Sequence, residues 1–264
     1  MTDRVQAPFG RRAAVIAGVE HHGAYTVLIC LDAGGPLPDP GQFYMLSTER
    51  RWGGGADERP FLPRAFSVMR ARAAETVELH FLLEDVGPGT ARLAEAEPGE
   101  ALGLVGPLGN GFAAPPPGAK PLLVGGGVGI APLAILQDRL EAPTRPLLGF
   151  RDAAHAEGAA LLGDPLIATD DGSAGHHGLV TDLLIAELER APEVVVYACG
   201  PPPMLEAVRG LCAERGVAAQ LALESGMACG FGACFGCVIP TRTGLVRLCI
   251  DGPVLAASQL ERVH

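Results

Sequence analysis

Four cysteines near the end of the chain carry the clearest chemistry in the sequence. Residues 227–237 read Met-Ala-Cys-Gly-Phe-Gly-Ala-Cys-Phe-Gly-Cys, so Cys229, Cys234 and Cys237 follow a C-x4-C-x2-C spacing, and Cys249 comes after eleven further residues. This is the ligand spacing of a plant-type [2Fe–2S] cluster: three thiolates come from one loop wrapped around two irons, and the fourth comes from outside it. Gly226, Gly230, Gly232 and Gly236 would let that loop take positive φ and approach the cluster closely, with amide hydrogens aimed at the sulfurs. A structural zinc site also uses four cysteines, usually as two separated CxxC-like pairs, and stays open as the alternative. Cys30 and Cys212 stand apart and read as buried free thiols.

Two further segments suit a dinucleotide. Val124-Gly125-Gly126-Gly127-Val128-Gly129-Ile130-Ala131 runs from a predicted strand into a predicted helix. Gly125, Gly126, Gly127 and Gly129 there allow a tight turn, and the free amides of the helix start can receive a diphosphate. The run is not a strict G-x-G-x-x-G, so an ordinary glycine-rich strand–helix loop is the plain alternative. Cys199-Gly200-Pro201-Pro202 again links a strand to a helix, at the end of a parallel strand where open α/β sheets bind ligands. The prolines also suit a first helical turn. Earlier, Arg64-Ala65-Phe66-Ser67 lies on a predicted strand and Gly87-Pro88-Gly89-Thr90 opens a predicted short helix. An arginine and a helix start converging on one side would suit the diphosphate of a flavin. The pairs His21-His22 and His176-His177 are poorly placed to ligate one metal and read as surface or turn residues. Asp170-Asp171 is explained equally by turn chemistry.

These residues need a scaffold, and the pattern supplies one in three parts. Short β-rich runs at 13–19, 24–30, 42–46, 65–69, 76–83 and 101–105 predict an antiparallel β-barrel over residues 1–113. The polar loop 51–60 lies within it, and a short helix carries Leu93. The proline-rich stretch 113–118 marks a boundary. Beyond it, strands at 121–124, 146–150, 166–169, 193–198 and 217–223 alternate with helices at 130–140, 179–190 and 202–215, the last ended by Gly216. That alternation predicts a parallel-sheet, nucleotide-binding α/β domain over 114–223. Residues 224–264 form a small C-terminal iron–sulfur segment, too short for a core of its own.

Composition narrows the class. With 264 residues, 48% of them hydrophobic, the chain can bury a real core. A formal net charge of −10 argues against a nucleic-acid surface, which needs a basic stripe. Mean hydropathy is positive, at +0.26, yet the uncharged stretches 101–119 and 121–137 are broken by Gly and Pro and do not resemble spanning helices. The N-terminal residues show no apolar signal region, so a cytoplasmic protein without disulfides is expected.

Together the motifs resemble the ferredoxin–NADP reductase superfamily and, within it, the electron-transfer subunits of type-B dihydroorotate dehydrogenase. The resemblance covers nearly the whole chain. It rests on Gly41-Gln42-Phe43-Tyr44-Met45-Leu46, on 106–112 (GPLGNGF), on Thr169-Asp170-Asp171-Gly172-Ser173 with 178–182 (GLVTD), and on Glu224 with the cysteine run and its Cys249-Ile250-Asp251-Gly252-Pro253-Val254 ending. It implies FAD held by Arg64, Ala65, Phe66 and Ser67 (Ala65 standing where the family has proline), by the strand Leu82-Leu83-Glu84, and by Gly89 and Thr90. It implies NAD(H) at the two glycine loops, Gly125 to Gly129 and Cys199, Gly200 and Pro201, with Cys199 positioning the nicotinamide rather than acting as a nucleophile. It implies a [2Fe–2S] cluster on the four cysteines, and an FMN-containing catalytic subunit as partner, two of each forming a heterotetramer in pyrimidine (UMP) biosynthesis. That partner would dock near residues 229–237. Arg151 could sit near a ribose 2′-phosphate, although NAD is what the family implies. Two other readings stay open: a related reductase serving a sulfide, hydrogenase or ferredoxin system, and a zinc-stabilised nucleotide-binding module with no redox activity.

Overall fold

The computed structural model describes residues 11–49, 52–53, 60–191 and 193–263; the N-terminal residues 1–10 and most of the polar loop 51–60 lie outside them. The first third closes into a six-stranded antiparallel barrel. Its strands are β1 (Arg12–His22), β2 (Tyr25–Asp32), β3 (Phe43–Thr48), β4 (Arg64–Ala73), β5 (Val77–Glu84) and β6 (Ala101–Leu108), in the order β1-β2-β5-β4-β3-β6. Period-two alternation does the sorting. On β5, Leu79, Phe81 and Leu83 enter the barrel core with Ile16, Leu28, Tyr44 and Leu104, while Leu82 faces the other way, toward the α/β domain. Helix α1 (Pro88–Ala94) plugs one end with Leu93. β6 runs to Leu108, beyond the predicted 101–105, because it pairs with β1 over its first half and with β3 over its whole length.

The second part is a sheet of seven strands, β7 (Lys120–Gly126), β8 (Leu147–Phe150), β9 (Leu166–Thr169), β10 (His176–His177), β11 (Val194–Cys199), β12 (Ala218–Ala222) and β15 (Val254–Ala256), in the order β10-β9-β8-β7-β11-β12-β15. Helices α2 (Ala131–Arg139), α3 (Ala153–Ala156), α4 (Val180–Arg190) and α5 (Pro202–Arg215) accompany it. α5 ends at Gly216, which takes the left-handed conformation at φ 66°. The exposed histidine pair 176–177 forms the two-residue edge strand. β15 comes from the C-terminal segment and pairs antiparallel with β12, covering what would otherwise be an open parallel edge. The rest of that segment is a hairpin of β13 (Val238–Thr241) and β14 (Gly244–Arg247) and a single turn α6 (Leu248–Asp251). Cys237, Leu248, Cys249 and Leu260 are buried and share one core with Leu205, Leu221 and Leu223 of the sheet. Barrel and sheet are also tied directly, since Arg70 of β4 donates to the Asp138 carboxylate at 2.9 Å and to the Leu161 carbonyl at 2.7 Å. Among the described residues no helix is long and apolar enough to cross a membrane.

Candidate functional site

Two clefts and one loop collect the chemistry. The first cleft, of about 240 Å³, lies where all three parts of the chain meet. The barrel contributes Phe43, Ala65, Phe66, Ser67, Leu82, Glu84 and Thr90; the start of α2 contributes Val128 and Ala131; the end of the sheet and the cysteine segment contribute Leu223, Glu224 and Met227. Six of the predicted flavin residues therefore line it. Arg64 stands beside this wall with Gly89 pressed against its guanidinium, where a Cβ would come within 2.5 Å of Nε, so arginine and helix start converge as expected. Leu83 is turned into the barrel core, which leaves only its backbone available to a ligand. Ala65 sits in a regular ladder opposite Met45, so the strand does not need the family's proline. Apolar walls beside the Arg64 guanidinium, which donates to the Leu62 carbonyl at 2.7 Å, suit a flavin ring and its diphosphate.

The second cleft, of about 430 Å³, follows the C-terminal ends of the parallel strands. Gly126, Gly127 and Pro201 line it, as predicted, together with Phe150, Arg151, Asp170, Thr181 and Met204. Gly125 and Gly129 lie beneath the surface. Gly129 allows a close approach of backbones: a Cβ there would stand 2.5 Å from the carbonyl carbon and oxygen of Cys199. Replacing Gly129 with Ala is expected to cost about 1–3 kcal/mol, because both partners are main chain and cannot swing away. A thermal midpoint unchanged from wild type would refute the close packing. Cys199 is buried, and burial, with a contribution from Glu224, pushes its thiol well above the ordinary value. Burial of this kind favours the protonated thiol, which supports a positioning role over a nucleophilic one.

The sequence reading missed the polar wall between these clefts. Glu84 lines both. It ends β5 opposite Tyr25, the first residue of β2, whose ring meets His155 edge-on at 5.6 Å. From across the cleft Arg151 donates to Glu84 Oε1 at 2.7 Å, His155 Nε2 lies 3.3 Å from the same oxygen, and His155 Nδ1 lies 2.6 Å from Asp152 Oδ1. Residues 67 and 71 positions apart meet here, and no local pattern announces them. Glu224 was noticed only as part of a motif; it faces the first cleft, and the protein around it pushes its carboxyl upward.

The cysteine loop folds as its glycines foretell at two positions: Gly230 has φ 77° and Gly232 φ 86°, while Phe235 takes the third positive φ of the loop. Cys234 is exposed, Cys229 half-buried, and Cys237 and Cys249 are buried. Amides point at sulfur as expected: Gly236 N–H donates to Cys234 Sγ at 3.4 Å and Cys249 N–H to Cys237 Sγ at 3.5 Å. Burial pushes the Cys229 thiol up, but the amides of Cys234, Phe231 and Ala233 and the Cys234 thiol outweigh it and bring the thiol to about 7. Burial and the neighbouring Cys237 push Cys249 up to about 12. The thiols interact across the whole set: Cys229 with Cys234, Cys249 with Cys237, and Cys249 also with Cys229. Among the described residues no three His, Cys, Asp or Glu gather as ligands of one ion. The loop is anchored to the barrel by Asn110, whose side chain donates to the carbonyls of Ile250 at 3.3 Å and Asp251 at 3.0 Å. Gln42 supports that turn by donating to the Gly109 carbonyl at 2.9 Å.

A barrel and a parallel sheet that meet at one cleft with the segment carrying four thiols have the architecture of an NAD-linked electron-transfer protein with an iron–sulfur domain. Residues 224–261 match the iron–sulfur cluster binding domain of dihydroorotate dehydrogenase B. The electron transfer subunit of dihydroorotate dehydrogenase B (NAD(+)) of Caldanaerobacter subterraneus subsp. tengcongensis is 37% identical over 86% of this chain and 88% of its own length. That of Bacillus caldolyticus is 39% identical over 85% of this chain and 87% of its own. The chain belongs to this family of electron transfer subunits. Among solved structures, a NADH-dependent reduced ferredoxin–NADP oxidoreductase superposes with a TM-score of 0.78 at 24% identity, over 97% of this chain and 92% of its own. The ferredoxin reductase of carbazole 1,9a-dioxygenase superposes with a TM-score of 0.65 at 23% identity, over 79% and 66%. At those identities the likeness is one of fold.

Proposed function

We propose that this chain carries electrons between a dihydroorotate-oxidising catalytic subunit and NAD+, through a [2Fe–2S] cluster and FAD, in the synthesis of pyrimidine nucleotides. The observation that carries the reading is the first cleft, whose walls come from the barrel, the nicotinamide domain and the cysteine segment at once. A flavin held there would lie between the nicotinamide domain and the cysteine segment.

The residues divide the work. Arg64, Ala65, Phe66, Ser67, the strand Leu82-Leu83-Glu84, Gly89 and Thr90 would hold FAD. Gly125, Gly126, Gly127 and Gly129 with Cys199, Gly200 and Pro201 would form the NAD(H) site, and Cys199 keeps the strand end neutral beside it. Cys229, Cys234, Cys237 and Cys249 would ligate the cluster. When bound, FAD supplies the exchange between a two-electron hydride and the single electrons that the cluster handles. Phe43, Leu82, Val128 and Leu223 exclude water from the flavin's place, and Asn110 holds the cysteine segment against it. The division into 1–113, 114–223 and 224–264 follows these roles.

The partner is an FMN-containing catalytic subunit, two copies of each chain assembling in the cytoplasm. It docks at the cysteine loop, where Phe231 and Phe235 are exposed at 55% and 63% beside Cys234. The test is reconstitution. Dihydroorotate-dependent reduction of NAD+ is expected only when both subunits are present, from a chain whose absorption shows flavin and iron–sulfur bands. A colourless, zinc-containing protein would sink the reading.

A further inference from the structure

We infer that Glu84, reaching from the barrel to the Arg151 guanidinium, sets the preference of the dinucleotide cleft for NAD over NADP. The inference deepens the proposed function and rests on its reading of that cleft.

The cleft orders the ligand. The first cleft reaches the sheet at Val128, after β7, and Leu223, after β12, and Glu84 borders both clefts. Moving away from the first cleft along the sheet edge come Gly126 and Gly127 at the end of β7, Arg151 just past β8, and Asp170 just past β9. With nicotinamide toward the flavin and diphosphate at the glycine loop, the adenosine ribose falls at Arg151 and Asp170. In parallel nucleotide-binding sheets this is where an acid accepts the ribose 2′-hydroxyl of NAD, or an arginine receives the 2′-phosphate of NADP.

Here the arginine is present but engaged. Among the described residues lining the cleft, Arg151 is the single lysine or arginine. Its Nη2 lies 2.7 Å from Glu84 Oε1, its Nε 3.8 Å from Asp152 Oδ2, and its guanidinium also contacts the His155 ring. Glu84 is the better-shielded member, its side chain 19% exposed against 62% for Arg151, and Tyr25 flanks it in the barrel ladder. A 2′-phosphate would have to pull Arg151 from this carboxylate and would then face Glu84, Asp152 and Asp170 together. A neutral 2′-hydroxyl meets no such repulsion and finds carboxylate acceptors.

The test uses the flavin-loaded full chain and half-dinucleotides, so it is independent of turnover. Calorimetry with 5′-AMP and with adenosine 2′,5′-bisphosphate gives a binding ratio for wild type, for Glu84→Gln and for Glu84→Gln combined with Arg151→Ala. Wild type is expected to favour 5′-AMP. Glu84→Gln should shift the ratio toward the bisphosphate by about tenfold, and the added Arg151→Ala should take that shift back. The ratio of NADPH to NADH kcat/KM should move in parallel. A ratio that Glu84→Gln leaves unchanged, or a wild type that already favours the bisphosphate, would overturn the inference. A wild type that binds neither nucleotide and is not reduced by NADH would overturn the reading of the cleft itself.

Discussion

Replacing Cys234 with Ser is expected to cut electron delivery to the catalytic subunit by more than about a hundredfold while NADH still reduces the flavin. Cys234 is the exposed thiol of the four, so the change removes no packing. What it would remove is the thiolate proposed as a cluster ligand, and it exchanges the sulfur acceptor of the Gly236 amide for a serine oxygen. Loss of a ligand goes beyond the 10- to 100-fold effects typical of outer-shell changes, hence the magnitude. The flavin and nicotinamide clefts draw on other residues and should keep their function. Iron content, the visible spectrum and stopped-flow reduction by NADH separate the two effects. Undiminished turnover with the partner would show that Cys234 is not a ligand.

The largest expected effect on stability lies in the barrel, at the pair Arg12 and Asp32. Arg12 Nε donates to Asp32 Oδ1 at 3.2 Å and Nη2 to Oδ2 at 2.5 Å, and the Gly34 amide also donates to Oδ1 at 3.1 Å. Asp32 is 1% exposed. Gly35 closes over the pair, with room for nothing larger, since a Cβ there would meet the Asp32 carboxylate and the Arg12 guanidinium. Asp32→Ala would leave the guanidinium buried without its partner, at a cost of about 3–5 kcal/mol. For a chain of this length that lowers the thermal midpoint by roughly 10 °C. The double replacement Arg12→Met with Asp32→Leu should recover most of the loss, because no charge is then left unpaired. If the single change moved the midpoint by less than about 2 °C, the pair would not be structural.

The sequence made the local features legible and hid the long-range ones. The alternation of 76–81 marked β5, Gly216 marked the end of α5, and the cysteine spacing marked the metal segment, because each is written within a dozen residues. β10 escaped since two residues carry no period. β15 escaped since an edge strand of three residues is defined by the strand it covers. Arg12 carried no signal in the sequence, because its partner Asp32 lies 20 positions away. Arg151 read as a free cation beside a ribose, because Glu84 is 67 positions away on another domain. The glycine loops are legible as a proposed diphosphate site because they are local, whereas the Glu84–Arg151 ion pair is a product of folding.

The seventh strand of the sheet has a consequence for how the metal segment comes together. β12 leads into the cysteine loop and β15 leaves it, and the two are neighbours, joined also by the Leu223 amide donating to the Pro253 carbonyl at 2.9 Å. The four thiols therefore ride on a closed loop of about thirty residues whose ends are fastened by main-chain bonding. Closing such a loop costs entropy that grows as the logarithm of its length, and here the sheet meets that cost before iron arrives. Cluster assembly is left with ordering the short arcs between cysteines, and loss of iron would loosen those arcs without opening the sheet.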